Sequence, residues 1–444
     1  MYVSTRNQTS PQALLTAIEA GLASDGGLFV PDQMPVIDPA AFSAELHFPE
    51  FACKVLQPFF AGDRLADSLL HFCQQAFDFP VPLTSIDSST FVLELFHGPT
   101  SSFKDFGARF LAQCLSTQDE GQKTIMVATS GDTGSAVAAA FHRQRTCRVI
   151  ILYPEGQISA RQEQQITCWD DNILALAVDG NFDLCQQLVK SAFQDRYWQQ
   201  AGLGSANSIN IGRLLPQLCY YAFHATAFFQ RYQRKPGFII PSGNLGNATA
   251  AYWAKAMGFP IREIVLASNA NRVVVDYLQD GHYQARASVS TLANAMDVGN
   301  PSNIERLNHL FGSAAGFKKQ VQAFSASDDY ICNTIKAVHE RHGYISCPHT
   351  ATAFYARQQL AKDQPWIVVS TAHPSKFDEV IEPLINRKVP VAPRLQALLE
   401  RPKTIRRVKG SLDAIRNYAE TLSLNSKYSR SGCFMKQACN TATL

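Results

Sequence analysis

Lys104 stands in the run Gly98-Pro99-Thr100-Ser101-Ser102-Phe103-Lys104-Asp105-Phe106-Gly107, bracketed by two aromatic residues inside a polar, turn-forming loop. A lysine partly withdrawn from water has a depressed pKa, so part of it is neutral amine, able to condense with a carbonyl group or to carry protons. The competing reading is a surface lysine, and residue types alone leave both open. Two further loops offer anion chemistry: Ser130-Gly131-Asp132-Thr133-Gly134-Ser135 and Ser242-Gly243-Asn244-Leu245-Gly246-Asn247. Each carries two glycines and several hydroxyl or amide side chains, and each leads into an alanine-rich stretch. Glycine lets the backbone approach a ligand closely, and a helix N-terminus presents free N–H groups and a positive dipole end. Neither loop is a Gly-x-Gly-x-x-Gly fingerprint, and no Gly-x4-Gly-Lys-Ser/Thr occurs, which counts against NAD and nucleoside triphosphates.

Two other patterns lead away from their usual chemistry. Asp132-Thr133-Gly134 matches an aspartic-protease signature, but that chemistry needs two such carboxylates sharing a proton, and the triplet occurs once. His339, His342, Cys347 and His349 carry ligand-type side chains. Their His-x-x-His spacing is not the i, i+4 pair that puts two imidazoles on one helical face, so no metal site is expected.

The elements that must position these loops follow from hydrophobic patterning. Apolar runs at residues 91–96, 123–130, 148–153, 173–178, 238–241, 262–267 and 366–370 read as strands. Helical stretches lie between them, at 106–115, 135–143 and 211–232 among others. Strands alternating with helices imply an α/β fold with a parallel sheet covered on both faces, where ligands bind beyond the carboxyl ends of the strands. The three loops above lie at that edge. The first 90 residues are less regular. Residues 401–409 hold five basic side chains and no acid, which reads as solvated surface. The stretch 425–444 reads as a polar, loosely ordered C-terminal tail.

Composition sets the outer bounds. The 444 residues are 46% apolar and 17% charged, enough for a sizeable core and unlike a disordered chain. With 40 basic against 37 acidic residues, the net charge of +3 gives no reason to expect nucleic acid or an anionic membrane as partner. The chain starts without a basic-then-apolar leader and has no run of about 18 apolar residues, so neither a signal peptide nor a membrane span is expected. Eleven scattered cysteines, an odd number with no Cys-x-x-Cys, suggest reduced thiols and a cytoplasmic location.

On these same blocks the chain resembles the threonine synthase family, in its longer bacterial and fungal form. Tyr2-Val3-Ser4-Thr5-Arg6, Ser24-Asp25-Gly26-Gly27-Leu28-Phe29-Val30-Pro31 and the stretches 94–107, 128–135, 207–213, 241–247, 294–300 and 371–377 follow the family order, over residues 1–424. The resemblance implies the fold type II architecture of pyridoxal 5'-phosphate (PLP) enzymes, similar to tryptophan synthase β. That means parallel-rich sheets covered by helices, in a large and a small domain. It implies an N-terminal segment at 1–90, a large PLP-binding domain from 91–125 and 220–424, and a small domain at 126–219 inserted in it. It also implies conversion of O-phospho-L-homoserine and water into L-threonine and phosphate, by a monomer or homodimer.

Carried over, Lys104 matches the lysine that links covalently to PLP. Gly243, Asn244, Leu245, Gly246 and Asn247 match the loop for the cofactor phosphate, and Thr371 matches the hydroxyl that meets the pyridine nitrogen. Asp132 sits where related enzymes often have an Asn near the cofactor's 3-hydroxyl. Ser130 and Thr133 match positions for the substrate's carboxylate or phosphate. Asn207, Ser208 and Arg213 match the segment that holds the substrate phosphate. Three positions depart from the pattern: Ser101-Ser102 replaces a more apolar pair, Leu245 stands where Phe is common, and Cys347 stands where an acid often precedes Pro-His. The alternatives are another fold type II lyase, such as a serine or threonine dehydratase, or an inactive homologue that binds a phosphorylated ligand. Asn207 to Arg213 argues against the first and the intact Lys104 against the second.

Overall fold

The strands expected after residue 90 are all present, with bounds within two residues of those read from the apolar runs. The computed structural model describes residues 1–43, 46–116 and 123–420, so the tail at 425–444 lies outside the described residues. In chain order the strands are β1 (Tyr2–Ser4), β2 (Phe29–Pro31), β3 (Leu83–Ser85), β4 (Thr90–Glu94), β5 (Lys123–Ala128), β6 (Cys147–Pro154) and β7 (Ile173–Asp179). They continue with β8 (Leu203–Ser205), β9 (Gly237–Pro241), β10 (Glu263–Ser268), β11 (Gln322–Ser325), β12 (Trp366–Ser370) and β13 (Arg406–Lys409).

They form two main sheets, in the orders β11-β10-β9-β12-β4-β3 and β13-β7-β6-β5-β8. Every pairing in both is parallel except β3 with β4. The interior strands are mostly apolar along their middles, because both faces are covered. Alternate residues serve different layers: Leu93, Ile240 and Val369 pack into the main core, while Val92, Ile239 and Val368 face a second cluster with Trp366 and Phe354. The other sheet divides likewise, with Ile125, Val127 and Ile151 on the main core and Met126, Ile150 and Leu174 on a separate one.

The first 90 residues hold more regular structure than their sequence suggests. Helices Phe48–Phe60 and Leu69–Ala76 pack through rings onto the helices Lys104–Ser116 and Ile211–Tyr232. Phe48 meets Phe106 edge-on at 5.9 Å and Phe223 at 5.5 Å. Pro49 and Pro58 obscured the first of these helices; the one sits at its start, and Phe51, Val55, Leu56 and Phe59 still give it a buried face.

One segment lies elsewhere than expected. The basic stretch 401–409, read as solvated surface and placed with 220–424, contributes β13, which pairs in parallel with β7. Val408 is buried there with Ile415 and Ala419, while Arg407 and Lys409 point outward. Charged side chains on an edge strand protect it from further pairing, which is why a strand reads as a charge run. Grouping by sheet, we propose a large lobe on the first sheet and a small lobe on the second, with residues 406–419 moved to the small lobe.

The Lys104–Ser116 and Ile211–Tyr232 helices approach closely at Gly107, where a Cβ would lie 2.7 Å from the Arg213 carbonyl oxygen and 2.8 Å from its Nε. Gly107→Ala is therefore expected to displace Arg213 and to destabilise the fold by about 1–3 kcal/mol, the usual cost of overpacking. A thermal melt beside the wild type checks this, and an unchanged melting temperature would contradict the packing described.

Candidate active site

Five loops leave the carboxyl ends of strands and converge on one cavity: those after β4, β5, β8, β9 and β12. Its wall includes Lys104, Ser130, Asp132, Thr133, Asn207, Ser208, Arg213, the run 243–247 and Thr371. Every site residue expected from the sequence is thus on one surface.

The Lys104 loop is held rigidly. The Asp105 carboxylate accepts hydrogen bonds from the Thr100 N–H at 2.9 Å and the Thr100 hydroxyl at 2.7 Å. The backbone of residues 101–103 runs against the segment after β12: Phe103 N–H donates to Thr371 O at 2.8 Å, and His373 N–H to Ser101 O at 3.0 Å. Ser101 adopts a left-handed φ of 57°, strained for a residue with a side chain. Ser101 and Ser102 are buried, and neither hydroxyl has a hydrogen-bond partner. That explains why an apolar pair suits these positions.

Lys104 begins its helix at the cavity wall. Burial pushes its pKa down to about 8; Asp132 opposes this, while Arg213 and Lys376 add to it. Asp132 opens the helix Asp132–Phe141. Burial alone would raise the pKa of its carboxyl, but the Lys376 ammonium and then Lys104 hold it well below the usual carboxylate range. Lys376 Nζ lies 2.7 Å from Asp132 Oδ1 and donates to Thr100 O at 3.0 Å, with no exposure to solvent. The Gln162 amide donates to the same Oδ1 at 3.2 Å.

The loop after β9 is an anion cradle. Leu245 takes a left-handed φ of 62° and starts the helix Gly246–Ala256 with no side-chain cap, leaving N–H groups for a ligand. Asn247 Oδ1 accepts from the hydroxyls of Tyr220 at 2.5 Å and Tyr221 at 2.8 Å. This turns its Nδ2 toward the cavity, buried and without a partner. Gly243 has a different reason from the one expected: a Cβ there would lie 2.8 Å from Met296 Cα, so it admits the neighbouring backbone.

A second group of polar side chains adjoins this cradle. Asn207 Nδ2 donates to Ala128 O at 2.9 Å, and Ser208 Oγ accepts from Asn244 Nδ2 at 2.6 Å. Arg213 is buried; Nη1 donates to Ala206 O at 2.5 Å and Nε has no partner. Burial pushes its pKa down to about 10, with Asp105 opposing. Thr371 is buried at the end of β12.

Several residues here carried no sequence signal. Lys376 lay inside the recognised block 371–377 but was given no role. Gln162, Tyr220 and Tyr221 lie on helical stretches that the sequence gives no site role, and Arg306 lies on a helix, Ile304–Phe311, that the apolar pattern does not reveal. The buried Arg306 donates to Phe29 O at 3.0 Å, to Ser208 O at 3.3 Å and to Ile209 O at 2.7 Å, fixing the segment before Arg213. His349 also lines the cavity; burial pushes its pKa to about 4, and its Nε2 accepts from Ala295 N–H at 3.1 Å. Cys347 caps the helix Pro348–Gln358, its sulfur accepting from Thr350 N–H at 3.5 Å. Burial pushes the thiol pKa up, so it serves as a neutral cap beside Asp132. His339 and His342 lie in the preceding helix, Asp328–His342.

Family models and known proteins match most of the chain. The family model described as pyridoxal-phosphate dependent enzyme matches residues 82–372. Those described as threonine synthase N terminus and threonine synthase, C-terminal, match 1–77 and 350–419. The threonine synthase of Serratia marcescens is 40% identical over 408 residues, covering 90% of this chain and 95% of that one. The threonine synthase of Escherichia coli (strain K12) is 40% identical over 408 residues, covering 90% and 94%. The crystal structure of threonine synthase from Escherichia coli superposes with a TM-score of 0.89 at 36% identity, covering 95% of this chain and 99% of that one. The PLP-bound threonine synthase from Brucella melitensis gives 0.88 at 32%, with the same coverage.

The orphaned Asn247 Nδ2, the uncapped helix start at Gly246 and the amine at Lys104 suit the phosphate and the aldehyde of PLP. The Lys104 pKa then sets a pH dependence. Only the neutral amine attacks an aldehyde, so covalent attachment of PLP to the cofactor-free protein should slow about tenfold per unit below about pH 8 and level off above it. Stopped-flow absorbance checks this, and a rate still climbing toward pH 10 would mean an unperturbed lysine.

Proposed function

The chain belongs to the threonine synthase family of PLP-dependent lyases, and from that premise we propose that it acts on O-phospho-L-homoserine and that the residues above carry the reaction. The observation that carries this reading is one cavity wall that holds Lys104 together with two adjoining donor sets: the 243–247 cradle, and Asn207, Ser208 and Arg213. One phosphate belongs to the cofactor. A second set of donors that includes a buried guanidinium suits a substrate that is also phosphorylated, which a serine or threonine dehydratase does not require.

PLP supplies, when bound, the electron sink for carbanion chemistry at the substrate's Cα. Gly243, Asn244, Leu245, Gly246 and Asn247 would hold its phosphate, Asp132 would face its 3-oxygen, and the Thr371 hydroxyl would meet its ring nitrogen. A hydroxyl there donates to a neutral nitrogen without holding it protonated, as a carboxylate would. Lys104 takes the proton from Cα and passes it on, then takes the one from Cβ and returns it to Cγ after phosphate has left. A proton goes back to Cα at the end, as water supplies the hydroxyl at Cβ. Arg213, with an N–H to spare, neutralises charge on the departing phosphate together with Asn207 and Ser208. Ser130 and Thr133, at the start of their helix, hold the substrate carboxylate. Water then adds at Cβ.

Phosphate release from O-phospho-L-homoserine tests the reading. Lys104→Ala should abolish turnover while the protein still takes up PLP without a covalent link. Arg213→Ala should raise KM, lower kcat and reduce kcat/KM by about ten- to a hundredfold, the worth of a hydrogen bond to a charged group. Unphosphorylated homoserine should be a poor substrate for the wild type. Equal turnover of the two compounds would refute the phosphate role of Asn207 to Arg213.

A further inference from the structure

Lys376 is a buried cation paired with Asp132 of the cavity wall, and the family reading assigns it nothing. It sits after β12 on the large lobe, wholly enclosed, yet its ammonium reaches Asp132 of the small lobe at 2.7 Å. A second N–H goes to Thr100 O at 3.0 Å, in the Lys104 loop. The surroundings repeat this bridging. Gln162 donates to Asp132 and accepts from Asn294 of the large lobe at 3.2 Å. Gln165 donates to Thr100 O at 3.1 Å, and Arg161 pairs with Asp378 at 2.6 Å. One face of the helix Ala160–Thr167 is thus docked on the large lobe by polar contacts, with the Asp132–Lys376 pair nearest the cavity.

We propose that Lys376 is a positioning residue for the reaction: its ammonium keeps the Asp132 carboxylate charged and fixed in the cavity wall beside Lys104. The proposal rests on the PLP reading of the site. The groups facing the pair are few. Lys104 and His349 act on Asp132, the neutral Cys347 thiol lies beside it, Arg213 acts on Lys104, and Asp105 and His373 lie near Lys376. His349 is neutral, since its Nε2 accepts a backbone hydrogen bond and burial lowers its pKa to about 4. Without Lys376, Asp132 would be a buried carboxylate balanced only by Lys104. It would then bind a proton as the pH falls, or draw the Lys104 proton toward itself, and either change alters what the cavity offers a carbonyl compound. With Lys376 in place Asp132 stays ionised, and Lys104 is left free to gain and lose its own proton.

The test is a double-mutant cycle on PLP affinity, read by fluorescence quenching from pH 6 to about 9. It needs no substrate, so it can fail while the O-phosphohomoserine reading stands, and the reverse. Lys376→Met should weaken PLP binding at least about tenfold and add an acid limb, affinity falling as the pH drops and Asp132 protonates. The wild type should show no such limb. In an Asp132→Asn background, Lys376→Met should change affinity less than about threefold, because Lys376 acts through the carboxylate. If Lys376→Met does not fold, Lys376→Gln, which keeps a donor for Thr100 O without the charge, takes its place in the cycle. Losses that add independently in the two backgrounds, or a Lys376 variant with wild-type affinity and pH profile, would overturn the proposal.

Discussion

Asp132 and Lys376 meet at 2.7 Å where water hardly reaches either. Taking two ions out of water costs several kcal/mol for each, so such a pair persists only where its remaining hydrogen bonds are met. Here they are: Thr100 O takes a second Lys376 N–H, and Gln162 donates to the carboxylate. Fixed this way, the pair is part of the field in which Lys104 titrates, where burial weighs most. Lys104 feels burial and two cations against it and one carboxylate for it, and settles near pH 8. A lysine poised there can both accept and return a proton within the same turnover. The lobes are also joined at this point, since the two partners hang from different sheets.

The scaffold explains why such a site can be held still. The loops that carry it leave the ends of parallel strands whose interiors are buried on both faces. The N-terminal segment then braces the loop after β8 from outside. Arg306 ties Phe29 to Ser208 and Ile209, and Asn210 donates to Ile18 O at 2.8 Å. The distance from residue 29 to residue 306 in sequence conceals this arrangement. It makes the first 77 residues part of the site's support, although none of them lines the cavity.

Much of this was legible in the sequence. Long apolar strands show as continuous runs, and the helix at 211–232 was bounded to the residue because its apolar face persists through Pro216. The loops after β4, β5 and β9 could be read because glycine, hydroxyl and amide residues cluster after strands; the segments at 207–213 and 371–377, and the roles, came from the family resemblance. The short strands β3, β8 and β11 carry too few residues for a period to register, and β13 was masked by its own charges. Lys376 illustrates the harder limit. A lysine between a serine and a phenylalanine looks like many others, and only the fold shows that its partner is Asp132. Gly243 is the converse: its type was read correctly as a close approach, but the thing approached is the Met296 backbone.

The central claim is that Lys104, and no other amine in the cavity wall, carries PLP. A second lysine, Lys376, is buried close by and pairs with Asp132, whose charge also acts on Lys104, which makes the distinction sharp. Reducing the PLP-loaded protein with borohydride and mapping the labelled peptide by mass spectrometry measures it directly. The account predicts a single pyridoxyl group on Lys104, within Phe103-Lys104-Asp105. A label on Lys376, or on any lysine outside the loop after β4, would contradict it.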